Sequence, residues 1–333
     1  MNIFTDISEI DSAQWQTLID SSPTASFFQT RACYDFYATL SFLKPFVFGV
    51  SKNEKLVGII CGYIISDGNI LKRYFSRRAI VPGGVLLAPD ISGHTINRLL
   101  DKAKNELARQ AIYLELRNYN DYSAFRPEIE KAGFEYLPHL NFHVNTPNVD
   151  TALKQLSTTK RRDVKLSRKE GADWIESNDI DDLNAYYEIL LNLYNTRIKT
   201  PLFPFEFFEK LIRTSNGKLF VVKYREKVIG GSVCMVLPGR VVYEWFVCGL
   251  DGQNKNIFPS TLATWAAIEY AASNGYKRFD MMGAGKPEEG YGVREFKSKF
   301  GGELVENGRF LFISQPCLYA LGKYMVGKLK GKN

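Results

Sequence analysis

The chain of 333 residues runs twice through the same order of predicted elements, and this repetition limits its fold more than any single motif does. In each half, two helices precede a β-hairpin. A strand, an amphipathic helix, a further strand, a short helix and the closing strands then follow. Helical spacing of apolar residues over 92–109 and alternation along 111–117 are examples of the underlying patterns. The halves share no visible residue-level repeat, so we expect a duplicated α/β architecture.

The repetition also predicts the domain boundaries. We place a first domain at 1–150 and a second at 151–314, in line with about 150 residues per domain. A basic helix at 158–170 opens the second domain as a linker, and a helix within 315–333 is expected to pack back onto the first half. No stretch within 198–303 is long enough to form a long helical arm, so no coiled-coil arm is expected.

Composition indicates a folded protein of the reducing cell interior. Apolar residues make up 45% of the chain and charged residues 24%, which argues against a disordered chain. The longest apolar runs, near 56–65, fall short of the roughly 20 residues of a membrane span. The start lacks the basic region of a signal peptide. Five cysteines without a C-x-x-C pair favour buried thiols over disulfides or a zinc site. We expect a cytoplasmic protein.

The net charge of +7 is concentrated in two segments, the first of which is the basic helix. Residues 160–169 hold six cations, and helical spacing puts Arg161, Lys165 and Arg168 on one face, with Lys160 and Arg162 beside them. Such a face suits tRNA phosphates, a nucleotide diphosphate or a lipid pyrophosphate. A solvated helix face is the simpler alternative.

The second basic segment is the tail, where four lysines lie between 323 and 332. They alternate with apolar residues such as Leu321, Tyr324 and Leu329. This mixture suits a helix that rests peripherally on an anionic membrane, here its inner face. Docking onto the first domain is the alternative.

Residues for metal or covalent catalysis are sparse. The histidines are His94, His139 and His143, and no H-E-x-x-H motif accompanies them, so we expect no metal site. No G-x-S-x-G motif for a nucleophilic serine is present. The run Gly283-Ala284-Gly285-Lys286 lacks the full spacing and the Ser/Thr of a phosphate-binding P-loop.

The element order matches the acetyltransferase-like GNAT fold, and motifs in the second half are more specific. Phe279-Asp280-Met281-Met282-Gly283 precedes a Gly-rich loop and the run Tyr291-Gly292-Val293-Arg294-Glu295-Phe296-Lys297-Ser298-Lys299-Phe300-Gly301. Together they resemble the F-D-x-x-G … G-x-x-x-F-K-x-x-F-G signature of the Fem-type peptidoglycan aminoacyltransferases. The basic helix, Asn195-Thr196-Arg197 and Ser26-Phe27-Phe28-Gln29-Thr30 are similar to further segments of that family.

The resemblance implies two tandem GNAT-like domains, each a mixed sheet flanked by helices. It implies transfer of an aminoacyl group from aminoacyl-tRNA to an amine of a peptidoglycan precursor, nucleotide- or lipid-linked, or of a related envelope glycan. No resident cofactor is expected. In one departure from the family, Cys33-Tyr34 stand in place of its usual Trp. In another, Tyr37 stands roughly where well-known members have a lysine for the acceptor nucleotide.

Three residues are candidates for the chemistry, which needs a neutral amine, a proton acceptor and a group that stabilises the oxyanion. Lys297 matches the family's F-K position, and its cation is expected to stabilise the oxyanion or an acceptor anion. Glu244 stands in an apolar strand, where burial would raise its pKa and suit it as a base. A solvent-facing or salt-bridged glutamate is the alternative. Asp280 either accepts the amine proton or orders the Gly-rich loop.

Further residues are candidates for binding substrate. By resemblance, Arg197 grips anionic groups of the acceptor, although a cation at a helix C-terminus is the simpler role. Tyr291 and Phe296 are expected to line a groove beside Gly283, and Tyr37 to lie near the acceptor's head group.

The donor loop separates two enzyme hypotheses. Coenzyme A enzymes hold the pyrophosphate on backbone amides, through a Q/R-x-x-G-x-G/A loop before a helix. Here the loop is 253–258, with Asn256 and Phe258 in the glycine positions, and 88–93 in the first half also lacks the pattern. We therefore favour aminoacyl-tRNA over acetyl-coenzyme A. An acyl-coenzyme A N-acyltransferase of amino sugars is the alternative, and a non-catalytic protein that binds RNA or anionic lipid is a third hypothesis.

Overall fold

In the computed structural model, residues 1–68, 70–288, 290 and 292–330 are described. They form two structural units. Unit 1 comprises Met1–Pro138 and the segment from Asn307 onward, and unit 2 comprises His139–Glu306. Each unit contains one mixed sheet with helices packed against it, which confirms the predicted fold class.

The strands alternate with helices along the chain. In chain order the strands are β1 Asn2–Phe4, β2 Lys44–Lys52, β3 Lys55–Ile65, β4 Arg78–Gly83, β5 Leu86–Leu87, β6 Tyr113–Asn118, β7 Glu135–Leu137, β8 Leu140–Asn145, β9 Ala172–Glu176, β10 Gly217–Tyr224, β11 Lys227–Leu237, β12 Val241–Gly249, β13 Arg278–Asp280, β14 Glu303–Glu306 and β15 Arg309–Ile313. The helices are α1 Ser12–Ser21, α2 Arg31–Thr39, α3 Ile70–Ser76, α4 Gly93–Leu107, α5 Arg126–Lys131, α6 Val149–Gln155, α7 Thr158–Lys169, α8 Ile180–Leu193, α9 Phe205–Ile212, α10 Pro259–Ser273, α11 Gly292–Ser298 and α12 Pro316–Lys330.

The sheet of unit 1 has the strand order β1-β2-β3-β4-β6-β15-β7, with β5 paired to β3. β4 and β6 are parallel, whereas β2, β3 and β4 pair antiparallel in sequence. Helix α4 covers this sheet because Ile96, Leu99, Leu100 and Ala103 fall on one face at helical spacing, and all four are buried.

The sheet of unit 2 has the order β14-β8-β13-β12-β11-β10-β9, and its parallel pair is β12–β13. Helix α10 lies at the centre of the core and packs against β11 and β12. It begins with Pro259, a favoured residue for a first helical turn because its missing N–H would have no helical partner there. Its alanines allow a close approach to the sheet, and Trp265 fills the remaining space.

Two strands lie in the sheet of the opposite sequence half. β8 follows β7 in the chain but pairs with β13 and β14, and β15 pairs with β6 and β7. Sequence analysis assigned these strands to 1–150 and 151–314, whereas the units divide at 138/139 and 306/307. The difference arises because alternating apolar residues, such as Phe142 and Val144, predict a strand and its buried face but not its partner strand.

A buried ion cluster fastens β15 into the sheet of unit 1. Glu115 on β6 accepts hydrogen bonds at 2.8 Å from Arg117 and, across the strand pair, at 2.8 Å from Arg309. Burial alone would raise the pKa of Glu115, but the charges and hydrogen bonds of Arg117 and Arg309 lower it to about 2.

The last helix, α12, belongs to unit 1 and contacts α3. Within the described residues, none of the helices combines the length and the apolar character that a membrane crossing requires.

Candidate active site

The parallel pair β12–β13 ends where several polar side chains meet. Tyr243 and Asp280 form the last pair in register, and β12 continues to Gly249 without β13. At Glu244 the register with β11 shifts, so that Trp245 is the extra residue of a β-bulge. Bulges re-aim side chains and are common beside active sites. This strand end, with Glu244 and the Gly-rich loop after Asp280, is the candidate active site.

The Gly-rich loop folds back onto β8. Met282, Gly283 and Gly285 have positive φ angles of 52°, 107° and 78°. The value at Gly283 lies in a region that residues with side chains rarely adopt, which explains a glycine there. The amide of Gly283 donates to Asn141 Oδ1 at 2.8 Å, and the amide of Leu140 donates to the carbonyl of Gly285 at 2.9 Å. The exchanged strand β8 thus holds the loop.

Asp280 at the end of β13 is fully buried. Its Oδ1 accepts hydrogen bonds from Asn141 Nδ2 at 2.7 Å and from the amide of Met282 at 2.8 Å, and its Oδ2 lies 3.1 Å from His143 Nε2. Burial alone would raise the pKa of Asp280, but His143 first, and then Arg278 and Asn141, hold it below the usual value. A carboxylate held in its ionised form is a weak proton acceptor, so this geometry favours the predicted loop-ordering role.

Lys297 on α11 is only 9% exposed. Its Nζ donates to the carbonyl of Gly283 at 2.8 Å and to the carbonyl of Met281. Burial lowers the pKa of Lys297, whereas the charges of Glu244 and Asp280 act in the opposite direction. The ammonium group therefore ties α11 to the Gly-rich loop and lies within the electrostatic influence of both carboxylates.

Glu244 is buried on the side of the sheet that faces α10. Burial raises the pKa of Glu244, and Lys297 and Thr264 oppose this shift without cancelling it. The carboxyl group of Glu244 is thus a better proton acceptor than that of Asp280. The predicted alternative of a solvent-facing strand glutamate does not agree with this placement.

Sequence analysis missed three residues of the cluster. Asn141 and His143 of β8 contact Asp280. Arg294 of α11 donates to the carbonyl of Ala284 at 2.8 Å and also to the carbonyl oxygens of Lys286 and Pro287. A usable signal existed for β8, because polar Asn141 and His143 alternate with apolar neighbours and so share one face.

Arg197 lies exposed in a π-helical turn, Tyr194–Ile198, that follows α8. The rings of Tyr194 and Phe203 on either side of it pack against Phe246, with centroid distances of 6.3 and 6.1 Å. Arg197 is therefore carried by a segment that packs beside the bulge of β12.

The remaining predicted substrate contacts differ in their placement. Phe296 is half-buried on α11, and the ammonium of Lys160 lies 4.2 Å from the centre of its ring. Tyr37 is fully buried in unit 1 with its ring 4.9 Å from that of Tyr63, which is the position of a core residue rather than of an acceptor contact. Tyr291 lies outside the described residues.

The basic helix α7 presents a smaller cationic face than its sequence predicts. Lys160 is buried and donates to Thr261 Oγ1 at 2.7 Å, which corrects its predicted exposure. Arg168 pairs with Glu269 at 2.6 Å and with Asp173 at 3.1 Å. Of the predicted set, Arg162, Lys165 and Arg168 are exposed and Arg161 is half-buried, so that Arg162 and Lys165 are the exposed cations that these two carboxylates do not engage.

Groups of the chain itself occupy the start of α10, where a coenzyme A pyrophosphate would be expected. Ser260 donates both its amide, at 3.3 Å, and its hydroxyl to the carboxylate of Asp251. The amide of Phe258 donates to Ser167 Oγ at 3.0 Å. Pro259 has no amide hydrogen to offer. An acidic side chain thus takes the place that the helix dipole would give to a phosphate.

Unit 1 has a comparable arrangement at the start of α4. A Cβ atom built on Gly93 would lie 2.4 Å from Glu128 Cδ, so that this carboxyl group lies directly against the first residue of the helix. Asn97 of the same helix donates to Glu128 Oε2 at 2.7 Å. In each unit, therefore, a carboxyl group lies at the helix start whose preceding loop lacks the glycine pattern of coenzyme A enzymes.

Comparison with known proteins agrees with this fold. A family model described as an acetyltransferase (GNAT) domain matches residues 154–298. No curated protein matches the sequence. Among solved structures, FemX is similar over 96% of this chain and 99% of its own, with 15% identity and a TM-score of 0.72.

Two further solved structures share the tandem arrangement. The similarity to a tandem GNAT protein from the clavulanic acid biosynthesis pathway covers 94% of this chain and 98% of that protein, with 10% identity and a TM-score of 0.60. The similarity to L-PGS from Bacillus licheniformis covers 94% of this chain and 96% of that protein, with 12% identity and a TM-score of 0.55. The predicted tandem GNAT fold is confirmed, and so, at the level of the fold, is the resemblance to Fem-type proteins. The GNAT match within unit 2 identifies the protein as an acyltransferase.

Proposed function

We propose that the protein transfers an aminoacyl group from aminoacyl-tRNA to an amine of a peptidoglycan precursor or related envelope glycan. The likeness of the whole tandem fold to FemX carries this proposal. The position of Lys297, the lysine of the F-K motif, supports it, because its ammonium lies against the Gly-rich loop and its charge is felt by Glu244. The donor ester is already activated, so the reaction requires no resident cofactor.

The cluster supplies the groups that this chemistry needs. The acceptor amine attacks the ester carbonyl, an N–C bond forms, and the ribose oxygen of the tRNA leaves as the C–O bond breaks. Glu244 is the proposed acceptor of the amine proton because its pKa is raised, and this proton then passes to the leaving ribose oxygen, which restores the carboxylate. The charge of Lys297 favours the negative oxygen of the tetrahedral intermediate. Asp280, through Asn141 and the loop amides, keeps the site ordered.

The alternative donor, acyl-coenzyme A, is less well supported. Asp251 at the start of α10 and Glu128 at the start of α4 place negative charge where a pyrophosphate would bind. Like charges at such a site repel, and the amide of Phe258 before α10 is already engaged by Ser167. These contacts favour a donor that does not depend on this cradle.

Binding of the two substrates is proposed on exposed cations. Exposed Arg162 and Lys165 of α7, with half-buried Arg161 beside them, are proposed to contact tRNA phosphates. Arg197 suits the phosphate or carboxylate groups of the acceptor because its guanidinium can donate two parallel hydrogen bonds. We place the reaction in the cytoplasm, where nucleotide-linked precursors and charged tRNA are both present.

A transfer assay tests the proposal. The full-length protein is incubated with a mixture of aminoacyl-tRNAs and a muramyl-pentapeptide nucleotide, and mass spectrometry follows the acceptor. We expect an increase equal to one aminoacyl residue and a rise in Tm with each substrate alone. A parallel reaction with acetyl-coenzyme A and glucosamine is expected to give no product.

The parallel reaction also decides between the three hypotheses. Acetyl transfer, together with a Tm shift by coenzyme A alone, would replace our proposal by the N-acyltransferase alternative. Binding of tRNA with no transfer to a nucleotide- or lipid-linked acceptor would favour the non-catalytic hypothesis. Lys299→Met is the matched control for Lys297→Met, because Lys299 is an exposed lysine of the same helical region.

A further inference from the structure

Exposed apolar residues of unit 1 gather on two helices, α3 and α12, which contact each other. Among its described side chains, the large hydrophobic residues that stay exposed, apart from Met1, are Tyr74, Phe75, Leu321 and Tyr324. Their exposed fractions are 52%, 37%, 44% and 60%. Scattered exposed apolar residues need no explanation, but a contiguous group of this kind marks an interaction surface.

The same helices carry positive charge without acidic residues. The segments 70–78 and 316–330 contain seven lysines and arginines and no aspartate or glutamate. Of these, Arg73 and Lys323 are exposed, and the guanidinium of Arg77 lies 4.3 Å from the ring centre of Tyr74. We call the group of Arg73, Tyr74, Phe75, Arg77, Leu321, Lys323 and Tyr324 the α3/α12 surface.

A groove of about 510 Å³ opens in the α3/α12 surface. Its walls include Phe75, Ile112 and Leu318, and Arg77 and Lys323 stand among its lining residues. The one acidic residue of the lining, Asp67, is held by Arg78 through contacts of 2.7 and 3.2 Å. The groove therefore combines apolar walls with cations whose charge the lining does not cancel.

We propose that the α3/α12 surface binds an anionic lipid bilayer. Tyr side chains favour the interface between lipid and water, where the ring is buried and the hydroxyl stays hydrated, and the wholly apolar ring of Phe75 can be buried beside them. Neighbouring lysines and arginines are attracted to negatively charged headgroups. Sequence analysis predicted membrane contact for the tail alone, and the structure adds α3 as a second contributing helix.

The cations of this surface suit either a bilayer or a tRNA, and its exposed apolar residues favour the bilayer. The rings of Tyr74, Phe75 and Tyr324 and the side chain of Leu321 are exposed on two helices that contact each other, and a lipid interface can bury such groups whereas a phosphate backbone cannot. The inference goes beyond the proposed reaction, because it concerns where the enzyme works. Vesicle binding can be measured without substrates, so failure of the transferase assay would not affect the outcome.

The test is co-sedimentation of the full-length protein with two kinds of vesicle. One contains phosphatidylcholine alone, and the other contains phosphatidylcholine with phosphatidylglycerol. We expect binding to the anionic vesicles only, weakened by added salt. The double variant R73Q/K323Q should bind about thirtyfold more weakly, at about fivefold for each cation removed. Y74S/Y324S should also lose binding because it removes the two most exposed rings.

Two matched variants in unit 2 serve as controls. Leu304→Ser removes an apolar residue that is 48% exposed, and Lys165→Gln removes an exposed cation. Both should bind like the unchanged protein. Equal binding to both kinds of vesicle, or equal losses in surface and control variants, would overturn the proposal. Binding of tRNA at this surface, lost in R73Q/K323Q while vesicle binding persists, would also overturn it.

A second measurement does not depend on substituting the surface. Cys317 is exposed in the first turn of α12, whereas Cys33, Cys61, Cys234 and Cys248 are buried. A polarity-sensitive dye attached to Cys317 should shift its emission to the blue with anionic vesicles. No shift with anionic vesicles would contradict the proposed orientation of α12 at the bilayer.

Discussion

Asn141 Nδ2 donates a 2.7 Å hydrogen bond to Asp280 Oδ1, across 139 positions of the sequence. The same amide group accepts the amide hydrogen of Gly283 through its oxygen at 2.8 Å. One side chain of the exchanged strand thus holds both the acidic residue and the Gly-rich loop. Order at the candidate active site therefore depends on β8.

Replacing Asn141 by leucine should destabilise the protein by about 3 kcal/mol. The change leaves one oxygen of Asp280 and the amide of Gly283 without this partner, at about 1–3 kcal/mol for each buried unsatisfied group. Urea unfolding measures the loss. Asn145→Ala, at an exposed position of the same strand, is the control and should change stability by no more than about 0.5 kcal/mol. An equal effect of both variants would contradict the assigned role.

Lys297 and Glu244 should behave as one unit in stability and as separate groups in activity. Lys297→Met removes the hydrogen bonds to the carbonyls of Met281 and Gly283 and the positive charge that acts on buried Glu244, and a buried polar group left without its partner costs about 1–3 kcal/mol. We expect Glu244→Gln in the same chain to restore part of that stability, with a coupling of about 1–3 kcal/mol. Transfer activity should fall by about a hundredfold or more in Lys297→Met and should not recover.

A double-mutant cycle provides the measurement, with unfolding free energies and initial transfer rates for all four chains. Additive stabilities would mean that the two side chains do not interact. Activity of Lys297→Met within twofold of the unchanged protein would remove Lys297 from the mechanism.

Removing the carboxylate of Asp251 should open the start of α10 to anions. Asp251→Ala is expected to lower stability by about 1 kcal/mol, as for other helix N-terminal caps. Inorganic phosphate should then raise the Tm of the variant more than that of the unchanged protein, because the freed amide and the helix dipole attract an anion. Asp150→Ala, an exposed acid in the first turn of α6, is the control. An identical phosphate response in all three proteins would weaken the argument against coenzyme A.

Glu115 should make unit 1 sensitive to acid. Arg117 and Arg309 overcome its burial and lower its pKa to about 2 from 4.5. A lowered pKa contributes stability that is complete above pH 4.5 and is lost as the pH falls toward 2. The shift corresponds to about 3 kcal/mol.

Unfolding by urea between about pH 5 and pH 2 measures this contribution. The free-energy gap between the unchanged protein and Glu115→Gln should shrink steadily on acidification. Glu135→Gln, at an exposed position of β7, should show no such gap. A gap for Glu115→Gln that stays constant over this range would contradict the role of the ion cluster.

The sequence was sufficient to predict several secondary-structure elements and part of the residue cluster at the candidate active site. Periodicity identified α4 and β6, and the resemblance to a family motif placed Asp280, Gly283 and Lys297 in one candidate site. It was not sufficient for the partners of β8 and β15, because a strand pattern carries no information about which sheet the strand joins. Asn141 and His143 were missed for that reason, since they belong by sequence to the other half.

The second limit of the sequence-based prediction was side-chain burial, which the sequence pattern did not reveal. Helical spacing predicted Lys160 on an open basic face, but its long aliphatic stem allows the ammonium to reach Thr261 and the ring of Phe296. Tyr37 was assigned by position in a motif, whereas its apolar surroundings in α2 decide its place in the core. Both cases depend on neighbours that are distant in sequence.

The strand exchange has a consequence for how the gene could be divided. A cut after Pro138 gives a front fragment that lacks β15 from between β6 and β7, and a back fragment that carries β15 with no sheet of its own to join. A cut moved to 306/307 leaves unit 2 whole in the front fragment but again separates β15 from the sheet of unit 1, and the back fragment carries β15 without that sheet. No single break at these boundaries therefore yields two self-sufficient pieces, because unit 1 is built from both ends of the chain, and its fold should be recovered only when the two fragments are mixed.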